Sequence, residues 1–192
     1  MYRRELLAGL TGTVMVALAG CVGEGGRSDD DTGDDDPPRL VKDESFPPVD
    51  EPAAVPPEPL CGVCNMTPAD YPHSNAQAVH EDESRQFFCT PGCLATYIVV
   101  TDQFAETDAS LATAWARDAG HESLVEFGDL YLVLDTDEDR GIDPMRNPLP
   151  YEAYADALSW VEAYDDLSED DIVTADELTV SDVEAYRAFY IA

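Results

Sequence analysis

Four cysteines in two close pairs restrict the folds available to this chain more than any other feature of its sequence. The first pair is Cys61 and Cys64, and the second is Cys89 and Cys93. Four cysteines allow three disulfide pairings, one metal site, or a mixture of the two. Oxidising conditions outside the cytoplasm favour disulfides, whereas this spacing also fits a four-sulfur zinc site. The fold is therefore expected to be organised around these side chains.

Two local features, besides the spacing of the cysteines, favour a metal ion, and two histidines are weaker candidate ligands. Met66 follows Cys64 by two residues, so a thioether and a thiolate can meet at one ion, and that soft pair suits Cu(I) better than harder cations. Cys93 is predicted to lie in the first turn of a helix, where free backbone amides favour the thiolate that binds metal. His73 and His80 are close to the cysteines in sequence, and each is a candidate nitrogen ligand.

The first twenty residues have the features of a secretory signal peptide. Arg3 and Arg4 precede an apolar run over residues 6–20, which is too short to span a bilayer as a stable helix. The paired arginines resemble the twin-arginine export signal, and the small residues directly before Cys21 resemble a lipobox. We therefore expect residues 1–20 to be removed, Cys21 to carry lipid, and the protein to be anchored at the extracytoplasmic face of the cell membrane.

Residues 21–59 are predicted to form a disordered, extended tether. Runs of three aspartates occupy residues 29–31 and 34–36, and eight prolines lie between residues 37 and 59. Like charges repel one another and proline removes backbone donors, so such a segment is not expected to build a core. The folded domain is therefore expected to occupy residues 60–192.

The charge balance excludes several classes of partner. The chain has 41 acidic residues against 10 basic ones, for a net charge of -31 at pH 7. Nucleic acids and anionic lipid head groups need cationic contacts, so neither is an expected partner. Acidic residues are spread along the chain and lysine is almost absent, which favours adaptation to concentrated salt, where screening tolerates self-repulsion. Individual carboxylates are therefore weak evidence for a site.

The domain is predicted to be α+β with short elements. Strands are predicted over residues 75–80, 85–88, 125–127 and 130–134. Helices are predicted over residues 91–101, 111–119, 151–164 and 182–190. The first two strands are expected to form a hairpin. Thr90 is the expected N-cap of the first helix, Ser181 with Glu184 has capping-box spacing at the start of the last, and residues 135–150 are predicted to be a loop.

Six segments of the sequence carry a resemblance to a known family. They are Cys61–Met66, Ala69–Tyr71, the strand around Gln77, Phe88–Cys93, Asp143–Met145 and Ala157–Leu178. Together they resemble the NosL family of accessory copper lipoproteins of nitrous oxide reductase, in a haloarchaeal form. The family's Cys-Gly-Met triplet is here Cys64-Asn65-Met66, which keeps both sulfur atoms, and asparagine also tolerates a left-handed turn.

The resemblance implies a fold of small ββαβ-type units and a protein that is not an enzyme. It implies carriage of Cu(I) to nitrous oxide reductase or to its assembly machinery. The family's Pro-Met-Gly pattern appears as Pro144-Met145-Arg146, which adds Met145 to the candidates although the glycine is lost. The candidate metal ligands are therefore Cys61, Cys64, Met66, Cys89, Cys93 and Met145.

Three other functions remain open at this point. The cysteine pattern is also similar to TRASH and YHS modules, which would hold zinc or another heavy metal. A thiol–disulfide oxidoreductase would use Cys61 and Cys64, but Pro68 and the Asn65-Met66 pair argue against the helix that such motifs usually open. Two disulfides would instead stabilise a lipoprotein that only binds a partner.

Overall fold

Two antiparallel sheets form the framework of the part of the chain that the structure, a computed structural model, describes: residues 37–137 and 139–192. The first sheet has the order β1-β3-β2-β4-β5 and the second the order β7-β6-β8. The strands are β1 (Leu40–Val41), β2 (Ala76–His80), β3 (Arg85–Phe88), β4 (Leu111–Arg117), β5 (Leu124–Glu126), β6 (Tyr131–Val133), β7 (Leu149–Tyr151) and β8 (Ile172–Thr174). The α-helices within these residues are α1 (Pro91–Val99), α2 (Thr101–Phe104), α3 (Tyr154–Val161) and α4 (Val180–Arg187).

The predicted α+β class is confirmed, and ββαβ units occur twice among the described residues. Strands β2 and β3, helix α1 and strand β4 form the first unit, and β6, β7, α3 and β8 form the second. In both units the first strand lies at the centre, between the second and the last. All four cysteines belong to the larger hydrophobic core, together with Ala78, Phe88 and Leu94.

The hairpin and the helix that carry the second cysteine pair are confirmed. Strands β2 and β3 pair from Ala76 opposite Phe88 to Val79 opposite Arg85. Helix α1 begins at Pro91, and the hydroxyl of its N-cap Thr90 accepts a hydrogen bond from the backbone nitrogen of Cys93 at 3.4 Å. A hydroxyl at this position satisfies a backbone donor that the first helical turn leaves free.

The predicted helix over residues 111–119 is wrong, because this segment is strand β4. It pairs with β2 through Ala78 opposite Ala114, and with β5 through Trp115 opposite Glu126. The alanines gave the segment a helical pattern, but helix propensity is a weak preference that tertiary pairing overrides. The strand buries Ala114 and Ala116 in the core that contains the cysteines.

Three boundaries in the C-terminal half also differ from the prediction. The predicted loop over 135–150 ends in strand β7, whose Pro150 is tolerated because β7 is an edge strand. Helix α3 consequently starts at Tyr154. Helix α4 starts at Val180, with its capping box formed by Thr179 and Asp182 and not by Ser181 and Glu184.

Residues 37–59, here called the N-terminal strap, pack on the domain, so the folded part begins ahead of residue 60. Strand β1 pairs with β3, Leu40 opposite Gln86. The buried Arg85 guanidinium donates to three strap carbonyls, those of Pro47 at 2.7 Å, Pro48 at 2.8 Å and Glu51 at 3.0 Å. Proline lacks a donor but keeps its acceptor, and here a buried cation satisfies those acceptors.

The predictions for the signal peptide, for lipidation of Cys21 and for the first part of the tether lie outside the described residues. Within the described residues, none of the helices has the length and apolar content that crossing a bilayer requires.

Candidate metal centre

Cys61 and Cys64 are brought together by a tight knuckle at the end of the strap. The backbone nitrogen of Cys61 donates to the carbonyl of Met66 at 2.8 Å, and that of Asn65 donates to the carbonyl of Cys61 at 3.2 Å. Asn65 has a φ of 64°, in the left-handed region that asparagine adopts more readily than most residues. The predicted turn at Asn65 is therefore present, and it folds the knuckle back on itself.

Glycine is required at position 62 because the knuckle packs directly on β3. A Cβ atom there would lie 2.2 Å from Nε2 of Gln86, and Gln86 is fully buried. The Gly62 nitrogen also donates to the carbonyl of Phe87 at 3.3 Å. This close approach places the first cysteine pair over the end of β3, where the second pair begins.

Cys89 and Cys93 come from the junction of β3 and α1. Cys89 directly follows the strand, and Cys93 lies in the first turn of the helix. The hydroxyl of Ser74 donates to the Cys89 carbonyl at 3.1 Å, which fixes the junction. A strand end and a helix start thus aim two further sulfur atoms at the knuckle.

The four sulfur atoms form one cluster, with all Sγ atoms within 4.8 Å of one another. Sγ of Cys89 lies 3.3 Å from that of Cys64, 3.7 Å from that of Cys93 and 3.9 Å from that of Cys61. Thiolates bound to one ion at a metal–sulfur distance of about 2.3 Å would lie about 3.8 Å apart. These separations exceed the roughly 2.05 Å of a disulfide. The geometry therefore fits one metal ion.

The cluster is buried, and the pKa values of its thiols shift in opposite directions. Hydrogen bonds with Cys61, Cys64 and Cys89 hold the pKa of Cys93 well below its usual value, and the Arg187 guanidinium lowers it further. Hydrogen bonds with Cys61 and Cys89 also lower the pKa of Cys64. Burial raises the pKa of Cys61 well above its usual value.

The two methionines predicted as ligands lie at the edge of the same core. Met66 and Met145 are partly buried and pack against the cluster of residues that contains the four cysteines. Met145 belongs to a loop that Asn147 joins to α1, since its side-chain oxygen accepts from the backbone nitrogen of Gly92 at 3.2 Å. The structure thus brings the Met145 loop to the helix that carries Cys93.

The histidines do not join the sulfur cluster. His80 is buried, and both ring nitrogens are engaged: Nδ1 with the carbonyl of Ala109 at 2.9 Å, and Nε2 with the hydroxyl of Tyr97 at 2.8 Å. Nδ1 of His73 lies 2.7 Å from the Glu122 carboxylate on the surface, with 74% of its side chain exposed. Among the histidine, cysteine, aspartate and glutamate side chains of the described residues, the group able to hold an ion consists of the four cysteines.

Arg187 in α4 contacts the cluster and was not predicted. Its Nε donates to Sγ of Cys93 at 3.2 Å, and its side chain is buried. No sequence pattern links residue 187 to Cys93, because 94 residues separate them. The one available signal was the rarity of basic residues, since only 10 occur in a chain with 41 acidic ones.

Comparisons with known proteins agree with this geometry. No curated protein sequence matches the chain significantly. The crystal structure of the copper chaperone NosL from Shewanella denitrificans matches with a TM-score of 0.55 and 14% sequence identity, over 70% of this chain and 99% of that one, which shows a shared fold. The family model for NosL matches residues 52–179. This chain therefore belongs to the NosL family.

Proposed function

We propose that this chain binds one Cu(I) ion at Cys61, Cys64, Cys89 and Cys93 and delivers it to nitrous oxide reductase or to its assembly machinery. The observation that carries the proposal is the convergence of four buried sulfur atoms within 4.8 Å of one another. Thiolates are soft ligands that suit Cu(I) better than hard cations. Membership of the NosL family, and the description of the structural neighbour as a copper chaperone, support copper as the cargo.

Cys64 is the sulfur through which the ion would leave. It is 8% exposed, whereas the other three cysteines are fully buried, so an incoming ligand of the acceptor reaches it first. Asn65 beside it is exposed and Met66 is half-buried, so a thioether two residues from Cys64 is a further soft group for the exchange. Release by stepwise exchange of soft ligands makes and breaks only metal–ligand bonds. We therefore assign no enzymatic activity to the chain.

We further propose that lipid on Cys21 anchors the protein at the extracytoplasmic face of the membrane. The support is the sequence around the paired arginines and the small residues before Cys21. Membrane fractionation tests this directly. The natural protein should sediment with membranes, and Cys21→Ser should release it; equal membrane retention of both would contradict the proposal.

Zinc or another heavy metal is the competing cargo, as in TRASH and YHS modules. Four buried thiols at spacings of 3.3–3.9 Å also suit a closed tetrahedral site of the kind that holds structural zinc. Elemental analysis of the protein after expression with both metals supplied distinguishes the two. Copper in near-stoichiometric amount supports the proposal, and zinc alone would replace it.

Anaerobic titration with Cu(I) against a competing chelator, with free thiols counted in parallel, tests the proposed site. The natural chain should bind one equivalent tightly. Cys64→Ser should abolish this binding, and Met66→Leu should weaken it. Cys21→Ser is the matched control, since it removes a cysteine outside the cluster and should leave the affinity unchanged. Unchanged affinity in the Cys64 variant would exclude the cluster as the site.

A further inference from the structure

Arg187 is enclosed on all sides by groups that accept its hydrogen bonds. It is 1% exposed. The guanidinium has five N–H donors, and five hydrogen bonds leave it. Their acceptors are Sγ of Cys93 at 3.2 Å, the Arg146 carbonyl at 2.8 Å, the Tyr186 carbonyl at 2.9 Å, Oγ1 of Thr90 at 2.8 Å and Oδ1 of Asn147 at 2.7 Å. Each donor thus has a partner.

The fold also makes room for this guanidinium at the start of α1. A Cβ atom at Gly92 would lie 2.8 Å from a terminal nitrogen of Arg187 and 2.6 Å from Oδ1 of Asn147. Any side chain at position 92 would therefore displace the guanidinium from the first turn of the helix. The absence of a side chain at Gly92 lets the charge approach Cys93.

Sγ of Cys93 is the one acceptor of Arg187 that can carry a negative charge. The other four acceptors are neutral oxygen atoms, and among the described residues no carboxylate forms an ion pair with Arg187. A buried charge is costly unless an opposite charge accompanies it. The chain has 41 acidic residues, yet the ionisable group that this arginine contacts is the side chain of Cys93.

Charge counting shows why a cation is useful at this position. Four thiolates carry four negative charges, so a bound Cu(I) ion leaves three uncompensated and a bound Zn(II) ion leaves two. Burying that excess is unfavourable. A guanidinium in contact with one ligand offsets one charge in either case, and it does so without occupying a coordination position.

We propose that Arg187 is a positioning residue for the metal site: it orients Sγ of Cys93 as a ligand and offsets the negative charge of the metal-loaded cluster. The inference rests on the proposed function and adds a residue that the family match does not contain, since that match ends at residue 179. Helix α4 thereby supplies part of the metal site from outside the matched segment.

Metal affinity of the full-length protein tests this role. Arg187→Met should weaken binding of Cu(I) by roughly 100- to 300-fold, the order expected for one unit charge about 5 Å away at an effective dielectric constant of about 20. Arg187→Lys, which keeps the charge, should recover most of the affinity. Arg117→Met is the control, because Arg117 is half-buried and its side chain donates to Asn75 and to the Glu122 carbonyl, not to a sulfur atom; its affinity should stay within about twofold. Natural affinity in Arg187→Met would overturn the proposal.

A second measurement needs neither metal nor a folded Arg187→Met variant. In metal-free protein, Cys93→Ala leaves the buried Nε–H donor of Arg187 without its acceptor, whereas Cys61→Ala, at an equally buried position, does not. The urea midpoint of Cys93→Ala should therefore be the lower of the two, and equal midpoints would overturn the contact. If the natural chain fails to bind Cu(I), the proposed function falls, while this comparison still decides whether Arg187 holds Cys93.

Discussion

Replacement of Arg85 by methionine tests how much the contacts of the N-terminal strap contribute to the free energy of unfolding of the domain. The guanidinium is 1% exposed and donates to the carbonyls of Pro47, Pro48 and Glu51. A hydrogen bond from a charged donor contributes roughly 1.5–3 kcal/mol, so three amount to roughly 4.5–9 kcal/mol. Burial of the cation offsets part of this. We expect the free energy of unfolding to fall by about 3–5 kcal/mol, a large share of the 5–15 kcal/mol typical of a domain.

Urea denaturation at fixed salt concentration, followed by the fluorescence of the buried Trp115, measures this change. Arg39→Met is the control, because the two contacts of its side chain, the ion pair with Glu106 and the hydrogen bond to Oδ1 of Asn65 at 2.7 Å, are both exposed and should each be worth less than about 1 kcal/mol. A loss below about 1 kcal/mol in Arg85→Met would refute the strap's role. A chain shortened to start at Leu60 provides a second check, since Arg85→Met should have little further effect in it.

Three further predictions follow from the turns and the charge. Asn65 has a φ of 64°, so Asn65→Ala should lower the free energy of unfolding by about 1 kcal/mol in urea denaturation, whereas Asn65→Gly should not. The net charge of -31 predicts a melting temperature that rises with KCl concentration, and a flat response in calorimetry would contradict it. Hydrogen bonds from Ser84 hold the pKa of Asp82 below its usual value. Its contribution to stability is therefore complete above about pH 4 and disappears as the pH falls through the lowered pKa, so denaturation curves of the natural chain and of Asp82→Asn should converge in acid.

Local signals predicted the parts of the site that lie close together in sequence. The hairpin before Cys89 and the cap at Thr90 were found because alternation and capping act over a few residues. The left-handed position of Asn65 was predicted from the triplet it occupies. These features place each cysteine pair, and they made one joint site a reasonable hypothesis.

Contacts between distant segments could not be read from the sequence. Residues 111–119 were predicted as a helix because the pairing with β2 and β5 that makes β4 a strand is a contact between separate segments, which the local residue pattern does not show. The strap looked disordered because the group that satisfies its carbonyls is the side chain of Arg85, more than thirty residues away. Arg187 reaches Cys93 across 94 residues. In each case the deciding contact joins residues that are far apart in sequence, and a local sequence pattern does not reveal such a contact.

Alkylation of the cysteines with and without Cu(I), followed by mass spectrometry, tests the central claim most directly. In metal-free protein under denaturing, anaerobic conditions, Cys61, Cys64, Cys89 and Cys93 should all react, since all four are free thiols. One equivalent of Cu(I) bound to the folded protein should slow alkylation of all four together relative to folded, metal-free protein. Protein that binds one equivalent while these cysteines remain reactive, or in which they are already joined as disulfides, would contradict a copper site at this cluster.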